Sequence, residues 1–488
     1  MISFNQIPAN LRVPFAYIEF DSSKAVTGPT LKAYKGLILG QKLAAGTATA
    51  DVPVRVTSVA QAKTLFGAGS MLHGMVKAWL ANNPTTELWV IPQSDNGAGV
   101  AAAGSLAFAG PASGAGTINL YLAGKLYQVA VASGDTATAI GAAVAAAITA
   151  DADAIVTAVN TTGTVALTYK HKGLIGNELD VRFNYYQGEV FPSGVSCVVT
   201  GFTGGTANPS LTAAISAMAE VQYDVIAFPY TDAGNLTAME TELDSRWGPL
   251  RQNDGRIFSA KNADFSGLST LGNSRNSKHV TIMEAYLEPT PVYEKAAAYA
   301  AVSAFYLNID PARPLQTLPL VGILPASQAD RFIMSERNLL LFNGISTSYA
   351  DAGGIVRIER GITTYKLNAA GASDVSYLNV ETLATLSYIR YDFRNYILTK
   401  YPRHKLADDG VRVAPGQAIM TPKLGKAEAI AKYKEWQDDL GIVENFEAFK
   451  ADLIVERNTT DRDRLDWYLP PDLMNQLRVN GIQIGFLL

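Results

Sequence analysis

The stretch "YDVIAFPYTD" (Tyr223–Asp232) decides the fold class. Its apolar run predicts a short buried strand, with a helix before it from Leu211 to Ala219 and another after it in "NLTAMETELDSRWG". "GRIFSAKN" and "KHVTIMEA" are two further short strands, and "PVYEKAAAYAAVSAFYLNID" is typical of a long buried helix. Buried strands that alternate with helices are the pattern of a parallel sheet. The sequence therefore predicts an α/β core.

Residues 31–92 show the same kind of alternation, because they read as strand, helix, helix and strand, with Pro84 ending the second helix. From about Ser94 to Gly205 the chain becomes dense in Ala, Gly and Thr and contains the hairpin "TINLYL" and "LYQVAV". This change in composition predicts a mostly-β domain inserted into the core. Beyond Leu340 the pattern changes again, with strands followed by two strong helices, which predicts an α+β domain at the C-terminal side.

These changes in pattern predict six segments. They are an N-terminal arm (1–25), the first part of the α/β core (26–93), the inserted mostly-β domain (94–205), the rest of the core (206–365), a C-terminal domain (366–477) and a C-terminal strand arm (478–488).

Both ends of the chain contain strand-forming residues. The N-terminal set lies in "FAYIEF" and the C-terminal set in "LRVNGIQIGFLL"; the residues are Phe15, Tyr17, Ile18, Phe20, Val479, Ile482, Ile484, Phe486 and Leu488. A strand needs a partner for its backbone N–H and C=O groups. These arms either pair within their own subunit or are donated to sheets in neighbouring copies. Head-to-tail donation produces a ring or an open helical polymer.

The composition excludes several classes of function. The chain has 488 residues, a formal net charge of −4, 17% charged residues and one cysteine, Cys197. We therefore expect no intrachain disulfide, and no direct nucleic-acid partner because no overall basic excess exists. The first twenty residues lack the charge and apolar run of a signal peptide, and no apolar run is long enough for membrane insertion.

No catalytic or metal motif is evident, and no cofactor is expected. The chain contains four histidines, His73, His171, His279 and His404, but no G-x-S-x-G elbow, H-E-x-x-H motif or Cys pair. "HGM" at His73 lies within a predicted amphipathic helix, which favours a packing role over a protease motif. The chain is thus not expected to be an enzyme.

Several segments together resemble a known family. They are "YDVIAFPYTD", "GRIFSAKN", "GIVRIERGITTY" (Gly354–Tyr365), the Tyr- and Arg-rich helix after it, and the run from Gly441 to Val479. In their order and coverage these segments resemble the contractile tail sheath proteins of myophages, particularly the Mu-like group, and R-type pyocin sheaths. The similarity extends over about residues 206–488 and more loosely over 1–92, and residues 94–205 fall in a region that varies among sheaths.

The resemblance implies a subtilisin-like core without subtilisin-like activity, and a structural subunit that polymerises helically around a tail tube. Contraction would drive the tube through the host envelope, with stacked hexameric rings linked by the donated arms. The implied partners are other copies of the chain, the tail tube protein, and baseplate and tail terminator proteins. The implied location is the virion, with assembly in the host cytoplasm. Candidate flexible linkers are residues 21–29 and 472–477.

Two alternatives are retained: a serine hydrolase on a subtilisin-like fold, and a surface-layer or adhesin-like structural protein suggested by the Ala/Gly/Thr-rich insert. The first needs a serine, a histidine and a carboxylate within hydrogen-bond reach. The lack of a signal peptide argues against the second. For tube contact, the predicted helix 424–440 offers Lys426, Lys432 and Lys434, with a plain solvated helix face as the alternative.

Overall fold

The computed structural model of the chain describes residue 13, residues 32–412, residue 414 and residues 416–487. The predicted N-terminal arm residues Phe15, Tyr17, Ile18 and Phe20 lie outside the described residues, as do the linker 21–29 and Leu488. The chain divides into two compact units. Of the described residues, the large unit contains 33–388 and 475–487, and the small unit contains 389–474 together with residues 13 and 32.

The large unit begins with two parallel strands, a short edge strand and a helix pair. These elements are β1 (Lys35–Gln41), β2 (Val54–Arg55), α1 (Val59–Phe66), α2 (Met71–Asn82) and β3 (Glu87–Gln93). Both helices have a serine N-cap, since Ser58 accepts from the backbone N–H of Gln61 and Ser70 accepts from that of His73. The two strands and two helices predicted for residues 31–92 are thereby confirmed.

Residues 94–205 form two antiparallel sheets and one helix. The elements are β4 (Ala101–Ala109), β5 (Gly116–Leu122), β6 (Lys125–Val131), α3 (Ala137–Ala150), β7 (Val156–Thr161), β8 (Thr164–Lys172), a 3₁₀ helix (Leu174–Glu178), β9 (Val181–Phe183) and β10 (Ser196–Thr203). The strand orders are β10-β4-β8-β7 and β6-β5-β9. The predicted hairpin is β5–β6, and its turn has positive φ at both Ala123 (49°) and Gly124 (77°), as a tight hairpin requires.

The chain then returns to the parallel sheet. The elements are α4 (Thr212–Met218), β11 (Val225–Ala227), α5 (Ala233–Trp247), β12 (Arg256–Lys261), α6 (Phe265–Asn273), β13 (Val280–Glu284), α7 (Val292–Ile309), α8 (Met334–Phe342), β14 (Thr347–Ala350) and β15 (Val356–Arg360). The six-stranded sheet has the order β13-β12-β11-β1-β3-β2, and its pairs are parallel except for the antiparallel edge pair β2–β3. The predicted α/β core with a parallel sheet is confirmed.

Close packing of helices against this sheet explains its sequence. The middle strands are almost wholly buried, and α7 is buried on nearly all sides, which is why its sequence is rich in alanine. Gly36 in β1 leaves room for the fully buried ring of Trp79 from α2, since a Cβ at Gly36 would lie 2.3 Å from Cζ2 of Trp79.

Buried polar contacts fix the 94–205 segment to the sheet within the large unit. His171 at the end of β8 is fully buried, and its Nε2 accepts from the backbone N–H of Met71 over 3.0 Å. Asp95 contacts Nδ1 of His171 at 3.0 Å and accepts from Nε2 of Gln41 at 2.7 Å. Lys261 forms a 2.6 Å ion pair with Glu178 on the other side of the segment. His171 is therefore a packing residue of this junction.

The described part of the small unit is built from helices and three short strand pairs. Starting from α9, which begins in the large unit, the elements are α9 (Val380–Lys400), β16 (Lys405–Leu406), β17 (Ile419–Met420), α10 (Pro422–Asp438), β18 (Val443–Glu444), α11 (Phe446–Asp452), β19 (Ile454–Arg457), β20 (Leu465–Tyr468) and β21 (Asp472–Leu473). The strand pairs are β16–β17, β18–β21 and β19–β20. Its core includes Trp436 and Tyr433 of α10, and the ring of Tyr433 stacks on Phe449 at 3.8 Å between centroids. Among the described residues, no helix is both long enough and apolar enough to cross a membrane.

Candidate assembly interface

The C-terminal arm (residues 478–488) is apolar and exposed over its described part. Val479, Ile482, Ile484 and Phe486 are 82%, 80%, 83% and 79% exposed. Residues 474–487 form neither helix nor strand within the single chain, so the strand predicted here has no ladder partner in the described structure. Such a run of exposed large apolar residues is a feature of interaction surfaces.

The order of residues in the arm is that of a strand with two unlike faces. In an extended chain alternate residues point to opposite sides, which places Ile482, Ile484 and Phe486 on one face. The other face carries Gly481, Gln483 and Gly485 in the middle of the arm, with Val479 before them and Leu487 after them. Over residues 481–486 this alternation predicts one face that becomes buried when the arm pairs and one that stays bare or polar.

The root of the arm is fixed by a buried ion pair inside the large unit. Nη2 of Arg478 lies 2.8 Å from Oε2 of Glu381, and the Glu381 side chain is fully buried. The second carboxylate oxygen of Glu381 accepts from the backbone N–H of Leu315 over 3.0 Å. Burial lowers the pKa of Arg360, and the positive charge of Arg478 lowers it further. The negative charge of Glu381 has the opposite effect on this pKa. Glu381 is therefore the ion-pair partner of Arg478, and its charge also acts on Arg360.

The predicted flexible linker 472–477 is held at both of its ends. At its start, β21 pairs with β18, and the backbone N–H of Met474 donates to the carbonyl oxygen of Ile442 over 3.0 Å. At its end, Nε2 of Gln316 donates to the carbonyl oxygen of Leu477 over 3.2 Å. Secondary structure ends at Leu473, and from Val479 to Leu487 every residue is exposed.

The hairpin β19–β20 is a sheet of only two strands. Ile454 pairs with Tyr468 and Val455 with Trp467 in antiparallel register. Val455 and Trp467 approach Gly425 of α10, so one face of the hairpin is packed within the small unit. In the described part of the chain no further strand pairs with either outer edge. An isolated two-stranded hairpin is marginally stable in water, so these edges are suited to accept strands.

The lysines predicted to face a tube do not share one environment. Lys426 is half-buried and Lys434 is exposed on α10. Lys432 is instead buried, with its ammonium 2.8 Å from Oδ2 of Asp392 and 2.8 Å from Oε1 of Glu435. The prediction for Lys432 is therefore at odds with the structure, because this lysine neutralises a buried carboxylate of α9 rather than facing outward.

Three of the four histidines, His73, His171 and His279, are buried packing residues, whereas His404 is exposed. His73 and His279 are buried, and burial lowers the pKa of each imidazole below its usual value. His279 contacts the carbonyl oxygen of Gly255 at 3.1 Å through Nδ1. Within the described residues no cluster of three or more His, Cys, Asp or Glu side chains could hold a metal ion.

Two charged clusters were not recognised from the sequence. One is the pair of Arg478 and Glu381, and the other surrounds the fully buried Lys295 of α7. The only local signal for the second is a lysine within the apolar run "VYEKAAAYAAV", which is unusual because buried lysines need partners. The first has no local signal, since its members lie 97 positions apart.

Comparison with known proteins gives consistent matches along the chain. Residues 204–364 match the family described as phage tail sheath protein central domain, and residues 372–484 match the phage tail sheath C-terminal domain. The chain is 45% identical over 487 residues to the Mu-like prophage FluMu tail sheath protein of Haemophilus influenzae, with 100% of both chains covered.

Solved structures of sheath proteins are also similar to this chain. The sheath tail protein from Desulfitobacterium hafniense is 14% identical with a TM-score of 0.48, over 94% of this chain and 100% of that one. The sheath tail protein from Listeria innocua is 14% identical with a TM-score of 0.49, over 91% of this chain and 93% of that one. The matched families consist of structural tail proteins and not enzymes, and by its full-length identity and its two domain matches the chain belongs to the phage tail sheath family.

Proposed function

We propose that the chain is the subunit of a contractile tail sheath, which polymerises as a helical array around a tail tube and contracts to drive the tube through the host envelope. In this role its partners are other copies of itself, the tail tube protein, and baseplate and tail terminator proteins. The subunit is made in the host cytoplasm and functions in the virion. Its parallel-sheet core is, in this proposal, a subtilisin-like fold used only as a scaffold.

The C-terminal arm carries this proposal. Its apolar residues are about four-fifths exposed, and its alternating pattern gives an extended strand one face to bury. Exposure of this kind is costly in a free subunit and favourable once a second copy covers it. We therefore infer that the arm is donated to a neighbouring copy, where it adds to a sheet.

The hairpin β19–β20 is the proposed acceptor. It has two outer edges without a strand partner among the described residues, which matches the two arms proposed at the ends of the chain. The C-terminal arm would take one edge, and the predicted N-terminal strand with Phe15, Tyr17, Ile18 and Phe20 would take the other. Such a shared sheet links copies through main-chain hydrogen bonds.

Contraction can preserve the main-chain hydrogen bonds between copies if the flexible part of the arm lies outside the residues that form those bonds. The ion pair of Arg478 and Glu381 fixes the root, so the change in direction falls on the residues directly after it, Val479 to Gly481. Among the described residues, a Cβ at Gly481 would have open space around it, with no heavy atom within 4 Å apart from those of its chain neighbours. Glycine there permits backbone angles that other residues disfavour.

For tube contact we propose the exposed lysine Lys434 together with Lys426 on α10. Lys432 is omitted because Asp392 and Glu435 already occupy its ammonium group. Exposed lysines suit an acidic partner, and their attraction weakens as salt screens the charges.

Deleting residues 479–488 tests the proposal. The truncated chain keeps Arg478 and should fold into soluble subunits with an unchanged far-UV spectrum, yet form no tubes in negative-stain electron microscopy. The unaltered chain serves as the reference at the same concentration. Tubes of normal helical repeat from the truncated chain would remove strand donation by this arm.

A further inference from the structure

A cavity of about 370 Å³ lies beside the parallel sheet in the large unit. It is lined by acidic, basic and aromatic side chains, among them Glu284, Glu288, Asp330, Arg331, Phe332 and Tyr286. Asp330 is exposed at its rim, so the cavity opens to solvent. No feature of the proposed arm exchange uses this cavity.

Its floor is a buried cluster of two carboxylates and one lysine. Lys295 is fully buried and donates to Oε1 of Glu288 at 2.7 Å, to Oγ of Ser348 at 3.0 Å and to the carbonyl oxygen of Glu284 at 2.6 Å. All three ammonium hydrogens are thereby used. Glu284 in turn accepts from the backbone N–H and the hydroxyl of Ser348, at 2.7 and 2.6 Å.

One carboxylate oxygen in this cluster has no partner. Glu288 is 7% exposed, and its Oε2 is buried without a hydrogen bond while the residue lines the cavity. When Glu288 is ionised, which is the main state above about pH 7, two carboxylates against one lysine leave one negative charge in excess. Burial raises the pKa of Glu288 above its usual range, with Lys295 opposing this shift and Glu284 adding to it. An unpaired buried acceptor of this kind is costly unless a donor or cation reaches it.

Arg331 is close enough for its positive charge to lower the pKa of Glu288, yet no cation of the lining forms a hydrogen bond to Oε2 of Glu288 in the described residues. Arg337 is paired with Glu359 at 2.8 Å, and Nε of Arg331 donates to the carbonyl oxygen of Ala326 at 2.9 Å. Counting Lys295, the cluster and lining hold three cations and four carboxylates (Glu284, Glu288, Asp330 and Glu359), which again leaves one negative charge.

The aromatic wall indicates the shape of the missing cation. The rings of Tyr286 and Phe332 are stacked at 5.3 Å between centroids and 20° between planes, and both line the cavity. A planar guanidinium binds aromatic faces and can donate to a carboxylate at the same time, whereas an ammonium or a hydrated metal ion lacks this flat shape.

We propose that this cavity binds the guanidinium of an arginine side chain carried by a second copy of this chain. The identity of the donor as a second copy rests on the proposed function, because a polymer places other copies against each subunit. Exposed arginines for which the described structure shows no ion pair are Arg55, Arg313, Arg403 and Arg412. One such side chain would give Oε2 of Glu288 its donor and cancel the excess negative charge.

The first test uses unassembled full-length subunits isolated by size exclusion and N-acetyl-arginine amide as the probe. Saturation-transfer NMR should show saturable binding, and the uncharged isostere N-acetyl-citrulline amide should bind about tenfold more weakly. Glu288→Gln should reduce binding by about tenfold as well, because it removes the charge and keeps an acceptor for Lys295. Phe332→Leu should weaken binding without touching the buried cluster.

Glu447→Gln is the control, since Glu447 is an exposed carboxylate of the small unit. Equal binding of the citrulline compound, unchanged binding by Glu288→Gln, or displacement of the probe by magnesium chloride at constant ionic strength would each overturn the guanidinium site. This measurement does not need polymer, so its failure would leave the sheath proposal standing.

The second test asks whether another copy supplies the guanidinium. Assembled tubes should bind much less of the probe per chain than free subunits, because the cavity is already occupied. Equal binding per chain in tubes and subunits would overturn the second copy as the source. A failure to form tubes at all would count against the sheath proposal and would leave the first test unaffected.

Discussion

Arg478 and Glu381 form a 2.8 Å ion pair in which the carboxylate is fully buried and the guanidinium is 13% exposed. The pair joins the first residue of the C-terminal arm to the first turn of α9. Since the apolar part of the arm starts at the next residue, this contact sets the point from which a donated strand leaves the subunit.

Arg478→Gln should therefore loosen the root of the arm. Glu381 would lose its closest cation, with Arg360 nearby to compensate in part, so we expect a loss of about 1–3 kcal/mol in stability of the large unit. Hydrogen exchange should become faster at residues 477–479 and stay unchanged at β19. The double variant Glu381→Gln with Arg478→Gln should be more stable than Arg478→Gln alone. If exchange at the root does not change, the ion pair does not anchor the arm.

Single charges on the two faces of the arm should have opposite consequences for assembly. Ile484→Asp places a carboxylate on the face that becomes buried, which should abolish tubes in electron microscopy. Gln483→Asp, one position earlier, places the same charge on the other face and should leave tubes intact. Both variants should have the same melting temperature as the unaltered subunit, because both positions lie outside its core. Equal effects of the two variants would argue against pairing as a strand.

The two lysines of α10 should separate stability from tube binding. Lys432→Met leaves Asp392 buried without its cation, and we expect a loss of about 3–5 kcal/mol in stability of the small unit. Lys434→Glu should leave thermal unfolding within about 0.5 kcal/mol of the unaltered chain and weaken tube binding in a co-sedimentation assay, most strongly at low salt. Normal tube binding by Lys434→Glu would exclude it as a contact.

Stability should depend on pH through Glu288. Burial raises the pKa of its carboxyl to about 7 in the folded chain, above the unfolded value, with Lys295 opposing and Glu284 adding to the shift. The folded state therefore binds a proton that the unfolded state releases, and stability falls as pH rises from the unfolded pKa to about 7. Glu288→Gln should raise the melting temperature at pH 8 and have little effect near pH 5. The same effect at both pH values would contradict this assignment.

Gly36 should be intolerant of a side chain. A Cβ there would lie 2.3 Å from the buried ring of Trp79, so Gly36→Ala should cost about 1–3 kcal/mol or more in the stability of the large unit. Gly97→Ala is the matched control, because a Cβ there meets nothing within 4 Å. Thermal unfolding should separate the two variants by several degrees. Equal melting temperatures would mean that the sheet and α2 can move apart at little cost.

Those elements of the fold that the sequence predicts are the ones with a local sequence pattern. The strand β11 within Tyr223–Asp232, the hairpin at Ala123 and the α7 helix each have a short-range signature, namely an apolar run, a turn residue or a helical sequence. Boundaries follow from caps in the same way, as with Thr136 before α3, whose hydroxyl accepts from the backbone N–H of Ala139. Such features depend on residues a few positions apart and do not require knowledge of the packing.

The sequence predicts only part of the candidate interface, because a contact between distant residues leaves no local signal. The apolar alternation of the arm is local, so Ile482, Ile484 and Phe486 were recognised. Periodicity also placed three lysines on one helix, yet it could not tell which of them would meet Asp392, which lies on another helix. The contact with Asp392 is the long-range feature that distinguishes the buried Lys432 from the exposed Lys434.

The sequence by itself determined the α/β alternation of the core and the apolar alternation of the C-terminal arm. Only the tertiary structure decided that Arg478 meets Glu381, that Lys432 is buried on Asp392, and that Lys295 lies between Glu284, Glu288 and Ser348. The physical reason is that secondary structure follows from neighbours within a turn or a strand, whereas the pairing of charges depends on which distant elements share a low-dielectric interior.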